Sequence, residues 1–353
     1  MKLSIFPLLI VSIMMLAGCV EKEVIDDVNI AMGLGYDLEG DEVLGTAMIP
    51  VYKAESIENF IFSSKGNISR ELVFRMRHKS GQPIVTGSLE IAFFGDKLAK
   101  KGIVSFIDAF QRDPSIGSRV YLAVVDGTAQ DVLKGSYGNR GNADYFSGLF
   151  QHNEEQGNLP LTNIHQFLFD YYQNGQDPFL PLLKKRKDLV EITGLAVFKD
   201  QNMVETVSAD EMFYFKLIND KFSRGTVRTE INSDEVIVRN IMSNHNMKLS
   251  GRNPWEVTVH ITVNGTIQEY SGSSFMGPKE VKKVQKALEK QIEEESLKLI
   301  TRLQENKVDP FGFGHFAKTR TRGFNFKKWE SDYPNAKFKV KANVIIKEVG
   351  IVE

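Results

Sequence analysis

One cysteine stands in 353 residues, Cys19. A single thiol excludes an intrachain disulfide framework and any zinc site built on several thiolates. Long apolar runs are also scarce. The N-terminal one, Leu3–Gly18, holds 16 residues with Pro7 and Ser12 inside it, short of the ~20 that a spanning helix needs. Charge of one sign is missing: 44 Lys and Arg face 45 Asp and Glu, which gives no basic excess for nucleic acid. The six histidines are scattered, and none forms the His-x-x-x-His pair of a helical zinc site. Gly33-x-Gly35 lacks the third glycine of a dinucleotide loop, and neither a Walker lysine nor a G-x-S-x-G nucleophile turn occurs. Acidic neighbours such as Asp26-Asp27 and Glu293-Glu294-Glu295 read as solvated faces rather than acid–base pairs. The expectation is a non-enzyme with no catalytic and no metal-ligating residue.

What is present begins with Leu16-Ala17-Gly18-Cys19, small residues and then the lone thiol, closing an apolar run after Lys2. This is the pattern of a cleaved export signal. Cleavage between Gly18 and Cys19 leaves Cys19 to carry a diacylglyceryl lipid, and two acyl chains anchor stably where one does not. The expected organisation is a signal peptide over 1–18, a lipidated tether over 19–27, and a body that folds in water. No cofactor is expected beyond the covalent lipid on Cys19.

The body reads as mixed α/β, or α+β, in three consecutive units, each a sheet with packed helices: 28–187, 188–252 and 253–353. Val43–Val51, Ser88–Phe94 and Arg119–Val125 carry strand formers. Lys97–Gln111 has apolar residues at helical spacing behind Asp96 as a cap, and Asp113-Pro114 stops it. Thr128 to Asp131 looks like a helix-starting cap, and Thr162–Gln173 like an amphipathic helix ended by Asn174-Gly175. Strand, helix, strand, helix in that order predicts at least two parallel strands. The run Lys184-Lys185-Arg186-Lys187 reads as a solvated linker, with anionic headgroups as the rival reading. Glu191–Phe198 and Met203–Val207 form a hairpin, and Ser208 to Glu211 a capping box for a helix through Met212, Phe215 and Ile218. Trp255 to Val263 alternates apolar and polar up to a turn at Asn264-Gly265. The strongest helix signal spans 279–306 behind Gly277-Pro278, and Phe338 to Ile346 closes the chain as a half-buried strand with a lysine-rich outer side.

Two polar constellations stand out as partner or fold-defining positions. Arg112-Asp113-Pro114 ends a helix, where arginine complements the dipole and free carbonyls. Asp309-Pro310-Phe311-Gly312-Phe313-Gly314 is a turn-rich loop behind the long helix, with Gly312 and Gly314 free to take positive φ and Trp329 close behind.

These segments, in their order and spacing, resemble the C subunit of bacterial spore germinant receptors, the GerC-type germination lipoproteins. The resemblance is carried by the lipobox, Asp27-Val28-Asn29-Ile30-Ala31-Met32-Gly33-Leu34-Gly35-Tyr36-Asp37, Phe94 to Ile103, Arg112-Asp113-Pro114, Gly194 to Lys199, and Asp309 to Gly314 with Trp329. Val20-Glu21-Lys22-Glu23 departs from the tryptophan and arginine often found after the lipidated cysteine. The resemblance implies a lipoprotein on the outer face of the spore inner membrane, acting with a multi-span A-type subunit and a transporter-like B-type subunit. It also implies three mixed domains and no catalytic residues, hence a scaffold or coupling role. The rival is a solute-binding lipoprotein of a transport system, which needs a concave ligand pocket.

Overall fold

The computed structural model describes residues 27–53, 57–272 and 277–349. Gly18, Cys19, the signal peptide and all of the tether except Asp27 lie outside the described residues. The first part of the chain contains β1 (Asn29–Ile30), β2 (Gly33–Glu39), β3 (Glu42–Tyr52), β4 (Ile57–Gly66), α1 (Ser69–Arg77), β5 (Ile84–Val85), β6 (Ile91–Gly95), α2 (Asp96–Lys101), α3 (Val104–Gln111) and β7 (Tyr121–Val125). It continues with α4 (Ala129–Leu133), α5 (Asn142–Gln156), α6 (Ile164–Tyr172), β8 (Phe179–Arg186), β9 (Leu189–Lys199), β10 (Asn202–Ser208) and α7 (Met212–Asn219).

β2 to β4 and β6 to β10 build one eight-stranded sheet in the order β10-β9-β8-β7-β6-β2-β3-β4. Its centre, β2, β6, β7 and β8, is parallel, as the strand–helix alternation predicts. Central parallel strands are covered on both faces, which is why β6 and β7 are almost wholly apolar. Phe94 looks to a core with Leu72, Phe106, Phe110 and Phe167, whereas Phe93 looks to Phe146, Phe150 and onward into the second part of the chain.

The end of β2 has a second duty. Asp37 is buried, and its carboxylate accepts the Ala129 and Gln130 amides at 2.7 and 2.8 Å, while Thr128 accepts from Asp131 at 3.3 Å. One residue ~90 positions away thus satisfies two of the free N–H groups that open α4, and Thr128 caps a third. Asp37→Ala is expected to lower stability by about 2 kcal/mol or more, because two buried amides lose their acceptor. An unchanged denaturation midpoint would contradict this.

The second part contains β11 (Gly225–Ile231), β12 (Asp234–Arg252), β13 (Trp255–Tyr270), α8 (Pro278–Glu305), α9 (Phe313–Thr319), α10 (Phe326–Asp332) and β14 (Lys337–Val349). The sheet order is β11-β12-β13-β14, with β13 and β14 parallel. α8 lays Val284, Leu288, Ile292, Leu299, Ile300 and Leu303 onto it. Its polar residues also cover the β14 edge: Gln285 donates to the Val344 carbonyl, and Glu289 and Glu293 accept the Val344 and Ala342 amides at 3.0 and 2.9 Å. An edge strand held this way is closed to further pairing. Among the described residues no helix is long and apolar enough to cross a membrane.

Several local expectations change. Lys97–Gln111 is two helices, because Gly102 at φ +133° breaks the ladder; Asp96 is the first helical residue and pairs with Lys100. α5 carries only Ala143, Phe146 and Phe150 on its apolar stripe, too weak a periodicity to read. Lys184 to Arg186 are strand residues of β8 and Lys187 is in the turn, so the run joins two paired strands instead of linking separate sheets. The boundary drawn at 187/188 therefore falls in a hairpin of one sheet, and that at 252/253 falls in the β12–β13 turn. Asn264-Gly265 is no turn: β13 runs through it with a register shift, and Gly265 leaves space for Val238, which a Cβ would meet at 2.8 Å. The Ser208–Glu211 capping box does not form: the Ser208 amide and hydroxyl both donate to the Glu211 carboxylate at 2.9 Å, but Glu211 itself is the N-cap of α7 and the Ser208 side chain accepts no helix amide.

Candidate functional site

Two Asp-Pro segments meet where the two sheets join. Proline at 178 and 310 biases Asp177 and Asp309 toward extended backbone, and the two aspartates exchange bonds across 132 positions of sequence. The Asp177 amide donates to the Asp309 carbonyl at 2.9 Å, and the Asp309 amide donates to the Asp177 carboxylate at 2.7 Å. Lys199, at the end of β9, donates to both oxygens of Asp177 at 3.1 Å. The Asp309 carboxylate then accepts the Phe313 and Gly314 amides at 3.0 and 2.8 Å, which fixes the turn into α9. Gly312, at φ +70°, supplies the left-handed step before that helix.

The walls are as tightly made. Gly175 and Gly314 lie back to back: a Cβ on Gly314 would stand 2.9 Å from the Gly175 Cα and 2.6 Å from the Trp329 indole nitrogen. The His315 amide donates to the Gly175 carbonyl at 3.0 Å, and the Tyr333 hydroxyl to the Val308 carbonyl at 2.9 Å. Trp329, 2% exposed, packs on Trp255 and Tyr333 with ring centres 5.2 and 5.7 Å apart. Asp177, Lys199, Asp309, Trp329 and Tyr333 line a cavity of about 240 Å³.

Burial governs the charges. Asp309 is pushed up to about 7 by burial, against the pull of its two amide donors. Asp170, a buried residue of α6 that accepts from Gln166 and Gln176 at 2.9 Å, is likewise pushed up to about 7 by burial. Asp177 is raised too, because burial outweighs the attraction of Lys199. A carboxyl whose folded pKa lies above its ordinary 3.8 takes up a proton on folding between 3.8 and about 7. Stability from these groups is therefore greatest at acid pH and falls as pH rises through that window. The denaturation midpoint is expected to drop between pH 5 and pH 7.5, and Asp309→Asn to drop less. An equal pH slope in both proteins would contradict the assignment to Asp309.

Asp309, Gly312, Gly314 and Trp329 thus come together, as positions that define the fold. Arg112 and Asp113 stand apart from them. The Arg112 guanidinium pairs with Asp108 at 2.7 Å rather than with helix carbonyls, and Asp113 accepts the Ser115 amide and hydroxyl. Sequence reading missed Asp177 and Lys199; the repeated Asp-Pro pair was the signal. It also missed Lys216, 3% exposed, which donates to the Gly157 carbonyl at 2.6 Å and ties α7 to the end of α5. Burial holds the Lys216 pKa down. Among the described residues no group of three His, Cys, Asp or Glu side chains could hold a metal ion.

Residues 21–185 match the family model for the spore germination protein N-terminal domain, and 193–350 that for the spore germination B3/GerAC-like C-terminal region. The chain belongs to the GerC-type spore germination protein family. The spore germination protein GerQC of Bacillus cereus is 32% identical over 347 residues, covering 96% of each chain. The putative spore germination protein YfkR of Bacillus subtilis is 22% identical, with 99% of this chain and 96% of the relative covered. The crystal structure of the GerBC protein matches at a TM-score of 0.60 and 18% identity, over 89% of this chain and 97% of that one, and so shares the fold. The two GerC-type family models meet in the β8–β9 hairpin, inside the larger sheet. Membership of this family carries a role in spore germination.

Proposed function

We propose that this chain is the lipid-anchored, non-catalytic C subunit of a nutrient germinant receptor on the outer face of the spore inner membrane. It acts there as scaffold and coupling component for A-type multi-span and B-type transporter-like subunits. The Asp177–Asp309 junction carries the reading. Its carboxylates accept from backbone amides and from Lys199, so the groups that elsewhere do chemistry here fasten one sheet to the other. Two sheets fastened in this way move as one body, which suits a part that transmits a state change. The solute-binding alternative would not use the junction: its cavity, at about 240 Å³, falls below the ~300–1,000 Å³ of small-molecule sites, so a solute would need another cavity, such as the one of about 560 Å³ lined by Leu34, Phe74 and Phe110.

The test is co-purification of the tagged, full-length protein from the inner membrane of dormant spores. Recovery of A- and B-type subunits supports the reading. Stable protein recovered without them, together with saturable solute binding, would turn the assignment to a solute-binding lipoprotein.

A further inference from the structure

We propose that the Tyr52–Ile57 end of the β3–β4 ladder rests on the bilayer, with Val51, Tyr52 and Phe60 in its interfacial layer. This depends on lipidation of Cys19 as the anchor. Most of β3 is buried, yet at this end Val51, Tyr52 and Phe60 are 40, 69 and 54% exposed. The register places all three within a few rungs of one another: Tyr52 faces Ile57, Val51 faces Glu58 and Ile49 faces Phe60. Strand alternation puts Val51 and Phe60 on one face and Tyr52 on the other. A protein docking on one face would leave the other wet, whereas a strand end dipping into lipid covers both.

The path of the chain supplies the occupant. β2 runs antiparallel to β3 with Gly33 opposite Met48, so residues before Gly33 lead back along β3 toward Tyr52. The Met32 amide still donates to the Met48 carbonyl at 3.0 Å, the Tyr52 hydroxyl reaches the Met32 sulfur, and β1 lies against β3. β1 also pairs with β5, and Asp27, the first described residue, precedes β1 on the Tyr52 side of the sheet. Cys19 precedes it by eight residues, which extend at most ~28 Å. β3 itself is ~33 Å long, so the tether cannot hold the lipid at the far end of the sheet. The anchor and the exposed end belong to the same side of the molecule.

The side chains suit a lipid interface rather than a charged headgroup patch. Tyrosine combines an apolar ring with a hydroxyl that stays in water, the reason aromatic belts form at bilayer surfaces. Lys53, the nearby cation, is paired with Glu58 at 2.5 Å, and Asp27 adds negative charge. Neutral lipid is therefore sufficient. The basic run of β8 lies away from the membrane, because β8 is parallel to the other central strands and Lys184 to Lys187 sit at its C-terminal end.

The experiment uses the full-length lipidated protein in phosphatidylcholine vesicles with or without brominated acyl chains. Tyr52→Trp and Phe60→Trp add a fluorophore at exposed positions where folding is undisturbed; Trp255 and Trp329 are buried and give a constant background. Leu189→Trp, exposed at the opposite end of the strands, is the control. Brominated lipid should remove the added emission of Tyr52→Trp and Phe60→Trp, leave Leu189→Trp unchanged, and do so without anionic lipid. A mass measurement of the Cys19 peptide separates the two readings. Lipid on Cys19 with no quenching at 52 and 60 overturns the contact and leaves the anchor intact. Quenching without lipid on Cys19 overturns the anchor and keeps the contact, and absence of both overturns both.

Discussion

Asp309→Ala is expected to cost the folded chain about 2–5 kcal/mol, read as a lower denaturation midpoint. The Phe313 and Gly314 amides lose their acceptors, and each buried donor left unsatisfied costs roughly 1–3 kcal/mol. Part of the loss is offset, because removing one buried carboxylate eases its repulsion on Asp177. Asp309→Asn keeps the volume and one acceptor, and should lose about half as much. An alanine variant as stable as the wild type would mean that the turn into α9 holds without Asp309.

Gly175→Ala should be comparably severe for a different reason. The residue sits at φ +81°, and a Cβ there would come within 2.6 Å of the His315 amide nitrogen and 2.7 Å of the Gly314 carbonyl carbon. Both are backbone atoms, which cannot rotate away as a side chain can. Left-handed strain of ~1–2 kcal/mol adds to overpacking of ~1–3 kcal/mol. Both substitutions loosen the same contact between 175–177 and 309–315, so the double variant should lose less than the sum of the singles. Full additivity would show that the two halves of the junction are independent.

Legibility in the sequence followed the range of the interaction. Two of the four parallel central strands, β6 and β7, were readable, as were α8 and the half-buried β14, because their signal is a local period: apolar runs in β6 and β7, a stripe from Val284 to Leu303, alternation from Phe338 onward. The Asp309 loop was readable as a structural turn, because its proline and two glycines act on their own neighbours. Its partners were not. Asp177-Pro178 repeats the Asp-Pro pair, but that local pattern does not point to a contact 132 positions away, and Lys199 carries no such pattern. Misreadings arose where a local signal met tertiary context. Asn264-Gly265 has a turn composition but lies in a strand paired on both sides, and the basic run at 184–187 looks like a linker but forms a strand and its hairpin turn. Gly102 ends a helix whose apolar spacing continues past it.

The Cys19→Ala chain in dormant spores tests the receptor-subunit reading most directly, by measuring the protein in the inner-membrane fraction alongside the germination rate. The account predicts that the variant leaves the membrane fraction and that nutrient germination falls with it, although Cys19 lies outside the described body and its loss leaves that fold untouched. A variant that stays membrane-bound and germinates at the wild-type rate would contradict it.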